Sequence, residues 1–188
     1  MHLRLTLVAS LAAAVLAVGP ATASAGTYDY LVAPLTKCGG QQQTNTSLST
    51  AEQEGAMVCM HNYARARARR AGLRAHTLLQ TSSDRKTADM IRCSQFSHTA
   101  CGRNTFFHIK AVGYTSCRSW AVGENIAWGT GSYGNLRSTM TRWVNSTPHR
   151  TNILNSKFIH LGVGLRKGTF LGRSNAQVWT THFGYRSC

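Results

Sequence analysis

The sequence predicts an α+β fold built around an antiparallel sheet. Apolar residues recur at three- and four-residue spacing through the first two-thirds of the chain and alternate residue by residue in the last third. Helices followed by paired strands, with no strand-helix-strand alternation, argue against a parallel nucleotide-binding sheet. The 188 residues leave room for one domain. A hydrophobic content of 43% is that of a folded chain, even though only 14% of residues are charged.

The first segment does not belong to that domain. Met1-His2-Leu3-Arg4 is short and basic, Leu5 to Val18 is apolar, and Ala23-Ser24-Ala25 offers a small-residue cleavage site. The apolar run, about 14 residues, is shorter than the roughly 20 that span a bilayer. Residues 1–25 therefore read as a signal peptide, and the mature chain as a secreted protein with no transmembrane segment. Residues 26–48, rich in Gly, Gln, Thr and Ser, read as an N-terminal arm or linker tied to the body through Cys38.

The domain proper spans 49–188. Ser49 and Glu52 form a capping-box pattern, and Met57, Met60, Ala64 and Ala68 mark one face of a helix that stops at Gly72. A second helix is expected over 82–95, burying Ala88 and Ile91 with help from Leu78, Leu79 and Met90. A helical turn covers 106–112 before Gly113. Leu136, Met140, Trp143 and Val144 share one face of a further helix that ends before Pro148. Ile159, Leu161, Val163 and Leu165 then make one strand, and Val178, Thr180 and His182 lie on one face of another, with 168–175 as the connecting loop.

Six cysteines, Cys38, Cys59, Cys93, Cys101, Cys117 and Cys188, include no Cys-x-x-Cys pair; an even count in an exported chain favours three disulfides over metal ligation. Cys93 with Cys101 and Cys101 with Cys117 are both open pairings. Removal of the leader leaves 20 basic residues against 6 acids, a net charge of +14. A secreted chain this basic associates with polyanions: anionic envelope polymers such as teichoic acids, acidic lipid headgroups, or extracellular nucleic acid bound without sequence preference. Arg65, Arg67, Arg69, Arg70 and Arg74 are the densest run, although their spacing wraps around the helix rather than forming a stripe.

Several segments together resemble one family. They are His61-Asn62-Tyr63-Ala64-Arg65, Phe96-Ser97-His98, Gly123-Glu124-Asn125-Ile126-Ala127, Trp143 through Ser146 and Pro148-His149-Arg150 to Asn152-Ile153-Leu154, Phe158 to Gly164, and Trp179-Thr180 to Phe183-Gly184. In this order they resemble the CAP superfamily of cysteine-rich secretory proteins, antigen five and pathogenesis-related group-one proteins, also called SCP domains, in its bacterial secreted form. The resemblance implies a three-layer αβα sandwich with a central antiparallel sheet. It also implies a cleft lined by His98, Glu124, Ser146 and His149, with Ser146 where other members carry a second acid. His61, Asn62 and Arg65 form an architectural motif.

Two imidazoles and a carboxylate suit Zn²⁺ or another divalent cation. His98, Glu124 and His149 would leave a coordination position for water, as in a metal-dependent hydrolase or peptidase. Only the resemblance unites them, because they are 26 and 25 residues apart in the chain. Three other readings stand beside it: Glu124 as a buried partner of a cleft histidine without chemistry, Ser146 as a nucleophile with a histidine base, and the cleft as a binding site for lipid or another anionic ligand. His76, His108, His160 and His182 form no constellation in the sequence and read as ordinary histidines. The expected function is that of an extracellular, monomeric binding module.

Overall fold

The computed structural model describes residues 26–188; the predicted leader lies outside them. The arm of residues 26–48 is draped over the body. It makes two 3-10 turns, buries Leu31, Val32 and Ala33 in the main core, and is fastened by Cys38–Cys59 to the first helix. That helix, α1 (Thr50–Arg67), begins at a complete capping box between Ser49 and Glu52. It closes on Ala68, with Arg69 left-handed, four residues ahead of the expected stop at Gly72.

A two-residue strand, β1 (Arg74–Ala75), leads into α2 (Thr77–Arg92). This helix starts five residues earlier than the apolar pattern suggests, because His76 caps it by accepting from the Leu78 N–H. Its buried face also differs from the expected one. Ala88 and Ile91 are half-buried, whereas Ser82, Ser83, Lys86, Thr87 and Asp89 are buried beside Leu79 and Met90. The sheet has no room for large side chains there: a Cβ on Gly162 would stand 2.1 Å from the Leu79 carbonyl carbon, and one on Gly164 2.6 Å from that of Ser83. The helix backbone thus rests on glycines, and small hydroxyls bond to the strands, Ser83 to the Gly162 carbonyl and Thr87 to the Thr180 hydroxyl.

After the short α3 (Phe107–Ala111) comes β2 (Ser119–Thr130), a long strand absent from the sequence-based expectation. Then follow α4 (Gly131–Gly134), α5 (Leu136–Asn145) and α6 (Thr147–Leu154). Pro148 ends one helix and, with Ser146 as shared cap, lies in the first turn of the next. The strands β3 (His160–Phe170) and β4 (Arg173–Ser187) run longer than expected, shrinking the predicted loop to a turn with Leu171 and Gly172 at positive φ.

The sheet order is β1-β3-β4-β2. Both long pairings are antiparallel, and only the β1 edge is parallel. Leu161, Val163, Leu165, Trp179 and Phe183 face the core built with α1, α5 and α6, while Val178, Thr180 and His182 face α2. The result is a three-layer sandwich in one domain with β2 as an edge strand. The disulfides pair Cys38–Cys59, Cys93–Cys101 and Cys117–Cys188, so Cys101 does not pair with Cys117.

Candidate functional site: a histidine-glutamate latch beside an aromatic cleft

The motif on α1 is structural in its contacts. Arg65 is 1% exposed and donates to the carbonyls of Ala71, Ile153, Asn155 and Phe158, joining the end of α1 to the turn after α6. Asn62 clasps Leu73 through both its backbone N–H and its carbonyl. His61 donates from Nδ1 to the Met57 carbonyl and packs its ring against Trp143 and Phe183. Burial pushes its pKa down to about 4.

Glu124, on β2, projects toward α2. One carboxylate oxygen accepts from His98 Nδ1 at 2.5 Å, the other from His182 Nε2 at 2.8 Å. His182 lies opposite Glu124 across the β2–β4 ladder, is fully buried, and bonds the Ser82 hydroxyl through its second nitrogen. The Lys86 ammonium, buried on α2, stands 3.9 Å from Glu124 and donates to the His98 carbonyl. Burial alone would raise the Glu124 pKa. The hydrogen bonds from His182 and His98, with the charges of His182 and Lys86, outweigh it and hold the carboxyl below its ordinary value.

Of the expected set, then, His98 and Glu124 are brought together, while His149 is bonded elsewhere. Its Nδ1 lies 2.8 Å from the Ser146 hydroxyl, its carbonyl accepts from Asn125, and its ring lies beside Trp143. Burial, then the charges of His98 and Arg142, lower its pKa. His182 is the correction to the sequence reading: it is the second imidazole of Glu124. Its signal in the sequence is its place on the inward face of a core strand, where an imidazole must find a partner. His108 is likewise committed, bonding Asp89 at 2.7 Å beside Arg92 and Arg103.

This donor set fits a divalent cation poorly. The two imidazoles turn onto separate oxygens of one carboxylate, an ammonium already supplies positive charge there, and Ser146 adds none of the negative charge a second acid would bring. Among the described residues, no three His, Cys, Asp or Glu side chains stand where they could hold a metal ion.

Beside this latch lies a cleft of about 710 Å³, bordering Ile126–Thr130 of β2. Phe96, Trp128, Tyr133 and Trp143 give it an aromatic lining, with Ser146 and His149 at one part and Arg142 and Arg173 among its walls. Arg142 is held by stacking on Tyr133, 3.7 Å from the ring centre, and by the Trp128 carbonyl. Phe96 and His98 both sit in the loop closed by Cys93–Cys101, so one disulfide braces both the cleft wall and the latch. A Cys93→Ser/Cys101→Ser variant is expected to stay folded yet lose about 2–3 kcal/mol in denaturant unfolding. Unchanged stability would show that the loop is held without the bridge.

The family model for the cysteine-rich secretory protein family, CAP, matches residues 58–183. Uncharacterized protein YkwD of Bacillus subtilis is 28% identical over 146 residues, covering 76% of this chain; the chain spans 52% of that relative's length. Among solved structures, the Bacillus anthracis extracellular protein containing a SCP domain aligns with TM-score 0.58 at 22% identity, over 74% of this chain and 44% of that one. An outer surface protein of Borrelia burgdorferi aligns with TM-score 0.62 at 18% identity, over 74% of this chain and 97% of its own. These two likenesses are of fold, and the match to the family model adds the sequence: the chain belongs to the CAP family.

Proposed function

We propose that the protein is an exported binding module whose aromatic cleft takes the apolar part of an amphipathic, anionic ligand such as a single-chain lipid. The observation that carries this reading is the cleft itself. Its volume lies in the range of small-molecule sites, its walls are aromatic, and among the described residues its only charged lining groups are basic or imidazole. Arg142 and Arg173 would meet the anionic head, while Phe96, Trp128 and Trp143 would cover the chain. The predicted leader and the three disulfides support export.

The latch has a supporting part in this reading. Glu124 and its partners fix the β2 backbone and the loop carrying Phe96, so the cleft is preformed and little ordering is lost on binding. The test follows tryptophan emission during titration with laurate, since Trp128 and Trp143 line the cleft. Saturable quenching or blue shift is expected, with Trp128→Phe removing part of the signal and Arg173→Glu weakening binding several-fold. Identical curves for wild type and Arg173→Glu would remove the anionic head from the proposal.

A further inference from the structure

A second group of basic side chains lies elsewhere on the sheet. On β3, His160 stands opposite Arg74 of β1 on one side and Gly184 of β4 on the other, and Arg186 is two residues along from Gly184 on the same face. The ring of Tyr114 covers Gly184 so closely that a Cβ there would lie 2.4 Å from the phenol oxygen. That phenol is 2.8 Å from His160 Nδ1, and the Arg186 guanidinium lies 5.2 Å from the ring centre. His76, the cap of α2, completes the group: its ring is 4.6 Å from that of His160 and meets Tyr114 edge-on at 5.1 Å. His76, His160 and Arg186 are half-buried and Arg74 is exposed, so the cluster is open to solvent.

No carboxylate side chain balances these four bases. The whole sequence has six acids, and each is engaged elsewhere. Asp29 bonds Asn145, Glu52 caps α1 at Ser49, and Glu54 accepts from the Leu165 N–H. Asp84 meets Gln80, Asp89 holds His108, Arg92 and Arg103, and Glu124 holds His98 and His182. Convergence of cations without a counter-charge costs energy that a bound anion would recover. Burial and the mutual repulsion of His76, Arg74 and Arg186 lower the His160 pKa, and burial and Arg186 lower that of His76. Burial pushes the Tyr114 phenol up to about 12, so it stays a hydroxyl.

We propose that Arg74, His76, His160 and Arg186 form an anion site for a tetrahedral oxyanion, the phosphate group of a phosphomonoester or its sulfate analogue. Two guanidiniums supply fixed charge and planar donors suited to such oxygens, and two imidazoles add donors that gain a proton as the anion binds. The site is distinct from the cleft. Gly184 pairs with Val122, whereas the cleft borders the Ile126–Thr130 end of the same strand. Neither depends on the other.

Sulfate is the first probe, because its charge is constant between pH 6 and 8 while the imidazoles, whose pKa values are lowered by burial and neighbouring cations, take up protons only toward the acid end. Titration of sulfate and of inorganic phosphate into the mature protein, followed by NMR of the histidine ring protons, should give saturable shifts at His76 and His160. Sulfate affinity should be several-fold higher at pH 6 than at pH 8. His160→Ala and Arg186→Ala should each weaken binding about tenfold, whereas Arg67→Ala, on the exposed side of α1, should leave it unchanged. Flotation with phosphatidic acid vesicles against phosphatidylcholine vesicles separates the sources. Capture that is lost in Arg186→Ala assigns the site to a lipid headgroup, and saturable soluble binding without capture assigns it to a free phosphate compound. Shifts that rise without saturation, or affinities equal in wild type, His160→Ala and Arg186→Ala, would overturn the proposal.

Discussion

Replacing Arg65 with methionine should lower the melting temperature of the mature domain by roughly 10 °C. The side chain is buried, and its guanidinium satisfies four backbone carbonyls from two separate segments. Methionine keeps the stem's packing and leaves those carbonyls without their donor, a loss of about 3–5 kcal/mol, each kcal/mol being worth about 2–4 °C at this size. Arg67→Met, two residues away and exposed, is the control and should fall within about 0.5 kcal/mol of wild type. Equal melting temperatures for the two variants would show that Arg65 is a surface charge in practice. Lysine at position 65 should rescue little, since one ammonium cannot reach all four carbonyls in the plane a guanidinium spans.

Acid should lower the stability of the protein through two successive pH windows. His61 is buried and neutral, with its pKa pushed down to about 4, whereas in the unfolded chain it titrates near 6.5. The unfolded state therefore binds the extra proton first, and stability present above about pH 6.5 falls through that window by up to about 3 kcal/mol, the loss being complete below the folded value. His76, His108, His149 and His160 are shifted in the same direction and add to the slope. Glu124 and Asp89 are held below their ordinary values, so their contribution is present above about pH 4 and lost only as pH falls further. His61→Phe keeps a ring between Trp143 and Phe183 and gives up the bond to Met57. Thermal melts from pH 7.5 to 4 should show a shallower decline for this variant than for wild type. A wild-type stability flat across that range would contradict the burial of neutral imidazoles.

What the sequence makes legible follows the strength of each local signal. Helix α1 announces itself through the Ser49–Glu52 box and its methionines, and α5 through Leu136, Met140, Trp143 and Val144. The strand β2 is silent: Gly123, Glu124 and Asn125 break any apolar alternation, and the strand exists because all twelve of its residues pair with β4. The start and buried face of α2 escape the apolar pattern because helix and sheet meet over Gly162 and Gly164, where packing selects serine and threonine rather than leucine. At the site, His98 with Glu124 can be anticipated through the family resemblance. His182 cannot be matched by any motif, since its relation to Glu124 is a cross-strand register. Lys86 carries no sequence signal at all, because its role depends on the turn that places the His98 carbonyl beside it.

The cleft as a ligand site is tested most directly by calorimetric titration of laurate into mature protein kept in chelator, beside a Phe96→Asp/Tyr133→Asp variant. Both substituted rings are well exposed on the cleft wall, so the fold should tolerate the change. One-to-one saturable heat in the wild type, undiminished by the chelator and lost in the variant, is the result expected. Saturable heat of the same size in both proteins, or none in either, would contradict the account.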